Sequence, residues 1–217
     1  MQNKFTANIA LFLTAFIWGL SFVAQRAGME YTGPFTFNMV RSFLGGLSLI
    51  PVILFVKLSV NDKRTKRIKH YQHVNLGRAG IGCGFALFIA MSIQQYCMQF
   101  VDAGKGGFLT ALYIVFVPII TIIYGEKLSK QIIISVSLSL CGLYFLCFKP
   151  NCGFCVYDLL IILSALFYAL HILVVDYYSS RVNPIKVSCL QFFVVGILSG
   201  FLVLLFEEPS ISSIYDC

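Results

Sequence analysis

Seven apolar runs divide the chain, at residues 8–25, 35–56, 79–101, 106–125, 131–148, 157–175 and 187–206. Each is close to the ~20 residues that a helix needs to cross about 30 Å of hydrocarbon. The bilayer interior offers no water, so a crossing segment must satisfy its own backbone N–H and C=O groups, and a helix does so. A barrel would show short strands of alternating polarity; these runs do not alternate. Composition agrees. Of 217 residues, 59% are hydrophobic and 12% charged, against about 25% charged in soluble domains. So much apolar surface exceeds what a soluble core of this size can hold. The expectation is an all-α membrane protein, a multi-pass helical bundle with the lipid bilayer as its surroundings.

The net charge of +7 lies between the runs rather than on a clustered polar face, so it reads as an orientation signal and not as a nucleic-acid surface. With the N-terminus in the cytoplasm, the inner segments carry Lys4, Lys57, Lys63, Arg64, Lys66, Arg67, Lys69, Arg78, Lys127, Lys130, Arg181 and Lys186, and the outer ones Arg26, Lys105 and Lys149. Twelve against three sets the N-terminus in and the C-terminus out. Only Lys4 precedes the first run and no small-x-small cleavage site follows, so that run is expected to be a retained helix. Five of the eight cysteines (Cys83, Cys97, Cys141, Cys147, Cys189) fall inside apolar runs, where Cys acts as a small hydrophobe. Cys152 and Cys155 form a lone C-x-x-C without a second pair, and His70 and His73 lie in a basic loop that repels a metal ion. No metal and no cofactor is expected.

A shift of 150 positions lays residues 8–56 over 158–206 without a gap. Leu13, Ala15, Leu20, Pro34, Phe43, Gly46 and Leu54 fall on Leu163, Ala165, Leu170, Pro184, Phe193, Gly196 and Leu204. The register holds across two helices and their connection, which separates it from chance matching of apolar residues. Five runs separate the copies, an odd number, so the second enters the membrane from the opposite side. The charges follow, with seven Lys/Arg after the second run and none after the seventh, where Glu207, Glu208 and Asp216 stand. Inverted repeats predict such opposite bias. The organisation expected is a first five-helix repeat over 1–149 and the first two helices of a second over 150–217. A complete second copy would reach about residue 299. The expectation is therefore a fragment or truncated product, or else a protein completed by self-association or partner helices.

The chain resembles the drug/metabolite transporter superfamily, specifically the EamA-like carriers. The resemblance rests on LTAFIWGLSFV in the first run, Pro34 to Arg41 leading into the second, AGKGGFLTALYIVFVPIITIIYGEKLS (103–129), and YDLLIILSALFYAL (157–170). It implies ten helices in two five-helix repeats and a secondary transporter of a small metabolite, amino acid or drug-like compound, acting as an exporter in the cytoplasmic membrane. Inverted repeats that rock about a midplane site suit alternating access. The alternative is a truncated, non-transporting paralogue, or a subunit that needs a partner. No Gly-x-Ser-x-Gly, His-Glu-x-x-His or Walker loop is present, so no enzyme activity is expected.

Candidate substrate-binding residues are the polar and aromatic side chains at membrane depth. Arg41 lies about six residues, roughly 9 Å, inside the second run. It either faces a cavity, pairing with an anionic substrate group or a structural carboxylate, or snorkels to the headgroups; the resemblance includes an Arg here. Its repeat counterpart is Gln191. Gln95 and Gln99 share one face of the third run, with Gln94 beside them, as interhelical glue or as lining. Trp18, Tyr113 and Tyr168 either line a cavity or pack. His171 either titrates in proton coupling or bonds between helices. Glu126 is read as structural, Pro118 as a kink, and Gly80, Gly82 and Gly84 as permitting close helix contact.

Overall fold

The computed structural model describes residues 4–59, 75–125, 129–147, 155–179 and 181–207. Among these the chain forms only helices: α1 (Lys4–Gly28), α2 (Pro34–Ser59), α3 (Leu76–Cys97), α4 (Ala103–Ala111), α5 (Tyr113–Ile123), α6 (Lys130–Cys147), α7 (Val156–Ser179) and α8 (Pro184–Phe206). The multi-pass, all-α expectation holds. Six spans are long and apolar enough to cross a bilayer, with α4 and α5 forming one of them; the stretch Lys130–Gly142 of α6 is shorter. At 18 residues, α6 extends about 27 Å, just under the hydrocarbon thickness.

Several boundaries differ from the sequence reading. The third helix stops at Cys97 rather than 101, because Arg26 of α1 donates to the carbonyls of Met98 at 2.6 Å and Val101 at 3.2 Å. That cation satisfies carbonyls a helix terminus leaves open. The fourth span is interrupted at Leu112, six residues before the proline expected to bend it. Thr110 returns its hydroxyl to the Gly106 carbonyl, a back-bond that bends helices. Pro118 sits inside α5. The last helix begins with a cap that hydropathy does not reveal: Asn183 accepts from the Ile185 and Lys186 N–H groups at the start of α8.

Burial runs opposite to a soluble protein. The exterior carries Phe12, Phe55, Ile123, Leu138, Phe145 and Leu204, each more than two-thirds exposed, which is where hydrocarbon tails sit. Much of the fully buried interior is small or polar, with Ala79, Cys83, Ala90, Ala165, Ala169, Ser164, Ser199, Asn38 and Gln95 beside the larger Met98, Ile161 and Val195. In lipid the exclusion of water drives no helix against another, so close backbone approach and hydrogen bonds do the holding.

The core is α2, α3, α7 and α8. Gly80 and Gly84 admit α8 against α3; a Cβ on either would overlap Leu190 or Val194. Gly82 faces Tyr178 in ordinary contact. Between α2 and α8 the contacts advance in opposite directions, from Phe35 against Phe206 through Phe43 against Phe193 to Gly46 against Cys189, so the two helices are antiparallel. Their packing is reciprocal. Phe193 covers Gly46, where a Cβ would meet the ring at 3.1 Å, and Phe43 covers Gly196, where it would do so at 3.2 Å.

A cap and an ion pair fasten one end of this core. Glu207, just beyond α8, accepts from the N–H groups of Phe35 (2.8 Å) and Thr36 (2.9 Å) and from the Thr36 hydroxyl (2.6 Å). A carboxylate at a helix N-terminus satisfies open donors and meets the positive end of the dipole. Gly33 leaves room for it, since a Cβ there would overlap the carboxylate. At the same end, Lys105 of α4 donates to Asp158 of α7 at 2.6 Å, and that oxygen also accepts from the Cys155 N–H.

Candidate substrate site

Two polar clusters sit within the bundle, on α2 and α8, flanking the Phe43–Phe193 contact. In the first, Asn38 is fully buried and donates through Nδ2 to the Met91 carbonyl of α3 at 3.2 Å. Its Oδ1 accepts from Arg41 Nη2 at 2.8 Å, and the Arg41 guanidinium lies 5.5 Å from the Phe37 ring centre. The Arg41 Nε is shut away from the surface without a partner. Arg41 and Phe37 lie one turn apart on α2, and Asn38 three residues before Arg41, so helical spacing alone brings them together.

The second cluster joins α7 to α8, where His171 Nε2 lies 3.1 Å from Gln191 Oε1. Gln191 is buried and occupies the position that a shift of 150 pairs with Arg41. Between the clusters runs a hydrogen-bond chain through three helices. Tyr168 of α7 donates to Gln94 Oε1 at 2.7 Å, Gln94 Nε2 donates to the Thr110 hydroxyl at 2.7 Å, and Thr110 donates to Gly106. The break at Leu112 thus lies next to the polar layer, pinned by α3.

The expected residues divide by place. Tyr113, on α5, meets Trp18 of α1 edge-on, ring centres 6.4 Å apart. It also lines an open cavity of about 430 Å³ with Val117, Pro118, Ser135 and Ile172, between α5, α6 and α7. Tyr168 and His171 stand one turn apart on α7 in the polar layer. Gln99 lies in the turn after α3 and bonds only locally, to the Tyr96 carbonyl. Gln95 is fully buried with both amide atoms unpartnered. The neighbouring amide, Gln94, is the one that links helices. Gln94 was noted in the sequence only beside Gln95 and Gln99, and Asn38 and Thr110 were not singled out; the available signal was their polarity at membrane depth, which they share with serines that bond only within their own helix. Lys63–Lys69, His70, His73, Glu126 and Cys152 lie outside the described residues. Cys83, Cys97 and Cys189 are buried and free, and Cys141 and Cys155 exposed and free.

A lipid-facing apolar shell around buried amides, hydroxyls and a cation defines a multi-pass helical membrane protein with a polar interior. The chain belongs to the EamA-like transporter family, which it matches over residues 5–148. It is 29% identical over 199 residues to an "Uncharacterized transporter" of Archaeoglobus fulgidus, covering 91% of this chain and 58% of that one. It is 31% identical over 134 residues to "Uncharacterized transporter YoaV" of Bacillus subtilis, covering 61% of this chain and 41% of that one. The match thus spans little more than half the length of the first of these relatives and less than half of the second. No solved structure matches it.

Proposed function

We propose that this chain forms part of a secondary transporter that moves a small metabolite, amino acid or drug-like compound outward across the cytoplasmic membrane by alternating access, with the N-terminus in the cytoplasm. One observation carries the reading: α2 and α8, alike in sequence at a shift of 150, pack antiparallel through reciprocal Phe–Gly contacts. Two repeats in opposite orientation would meet in this way, with the contact as the pivot and the polar clusters of Arg41 and Gln191 on either side of it. Substrate would sit among Arg41, Gln94, Tyr168 and His171, with Tyr113 and Trp18 flanking. The mechanism needs no cofactor and breaks no covalent bond.

A second reading, a subunit or truncated paralogue that works only with partner helices, is favoured by α1. Only 6% of its span is buried, against 28% for α7, its counterpart in the repeat. Flux measurements test the first reading. The chain is reconstituted in vesicles and counterflow is followed across a panel of labelled amino acids, organic acids and aromatic amines. Flux that falls at least tenfold in Arg41→Ala, with normal insertion, is the expected outcome. Unchanged flux in that variant would remove Arg41 from the path, and no flux unless a helical partner is co-reconstituted would favour the second reading.

A further inference from the structure

We infer that Arg41 anchors an oxyanion, a carboxylate or phosphate, of the solute this site holds. The inference rests on the carrier reading and adds the chemical class of its substrate. Arg41 lies seven residues into α2, about 10 Å from its start, and its guanidinium turns toward α3 through Asn38, which is itself tied to the Met91 carbonyl. Among the described residues no carboxylate lies within 4.0 Å of it; the ion pair that is present joins Lys105 to Asp158, at the starts of α4 and α7. A half-buried cation without a counter-ion is costly at membrane depth. The cost has a use if a ligand supplies the charge.

Packing does not require the charge. The equivalent position on α8 holds Gln191, a neutral amide paired with His171. One helix thus presents a planar cation with an unpartnered Nε, and the other an amide–imidazole pair. A guanidinium suits carboxylate and phosphate because its fork of donors matches two oxygens. A solute with an oxyanion at one end and a neutral polar group at the other would fit both clusters.

Matched pairs of ligands, alike except for the charged group, test this whichever solute the protein carries. Trp18, the sole tryptophan, stands against Tyr113, so its emission is followed together with equilibrium binding of the labelled ligands. Binding of benzoate and benzamide, phenylalanine and phenylalaninamide, and glycerol phosphate and glycerol is titrated in maltoside micelles and in phospholipid nanodiscs. In at least one pair the oxyanion should bind at least tenfold tighter, about 1.4 kcal/mol. Arg41→Gln, which copies the α8 residue, should erase that preference while the thermal midpoint is kept, and Arg41→Lys should retain part of it.

Equal binding of the paired ligands, no oxyanion response at all, or a preference that survives Arg41→Gln overturns the inference. So does an Arg41-dependent signal from added phosphatidylglycerol with none from soluble oxyanions, which assigns the guanidinium to a headgroup. Oxyanion binding without flux upholds the anion site and removes the carrier reading. Flux of neutral solutes alone does the reverse.

Discussion

At the scale of single residues, hydrogen bonds in this bundle carry more of the specificity than apolar contacts do. Tyr168 illustrates it. Its hydroxyl reaches Gln94, and Gln94 reaches Thr110, so one phenol fixes the position of two other helices. Tyr168→Phe leaves the Gln94 oxygen unpartnered inside the bundle. The expected destabilisation is about 1 kcal/mol, since hydrogen bonds between membrane helices average about 0.6 and an unsatisfied buried group adds to that. Unfolding of the purified protein in mixed micelles measures it. A double-mutant cycle with Thr110→Val should show coupling, because both changes act on the same amide; strict additivity would mean that the chain of bonds is not continuous.

Between elements, two kinds of joint hold the helices, one ionic and one steric. Asp158 is fully buried and shares one oxygen between Lys105 and the Cys155 N–H. Lys105→Met strands that carboxylate and should destabilise by about 3–5 kcal/mol. The double variant with Asp158→Asn should recover most of the loss, because no charge is then left unpaired. The α3–α8 joint depends on the absence of side chains. Gly84→Ala drives a Cβ into Val194 and should cost about 1–3 kcal/mol, as overpacking does, while Gly104→Ala, with nothing within 4 Å of the new carbon, should not destabilise. Equal effects of the two would show that helix propensity, not contact, decides.

For the whole molecule, alternation of helix direction fixes which ends share a compartment. Glu207 touches the start of α2, so the α1–α2 turn and the end of α8 lie on one side. The start of α3 lies at the far end of α2, a helix of 26 residues or about 39 Å. With the eight native cysteines replaced, Tyr31→Cys and Asn75→Cys should react with an impermeant maleimide from opposite faces of sealed vesicles. With the N-terminus in the cytoplasm, as proposed, Asn75 would be the cytoplasmic one of the two. Labelling of both from one face would contradict the arrangement.

Sequence alone determined the class, the crossings and the expectation of two related, inverted units, because lipid demands long apolar helices and insertion reads basic loops. Pattern and spacing were enough for those, as both act locally along the chain. Hydropathy also marked Arg41, Tyr168 and His171, since a polar group at membrane depth stands out against its neighbours. Which amide links helices, Gln94 and not Gln95 or Gln99, was decided only by tertiary structure. So were the ion pair of Lys105 with Asp158, the cap of Glu207 on α2 and the break at Leu112. The amide link, the ion pair and the cap join residues from separate helices, and their meeting depends on helix rotation and on the close approach that Gly80, Gly84, Gly46 and Gly196 permit, neither of which a one-dimensional pattern contains.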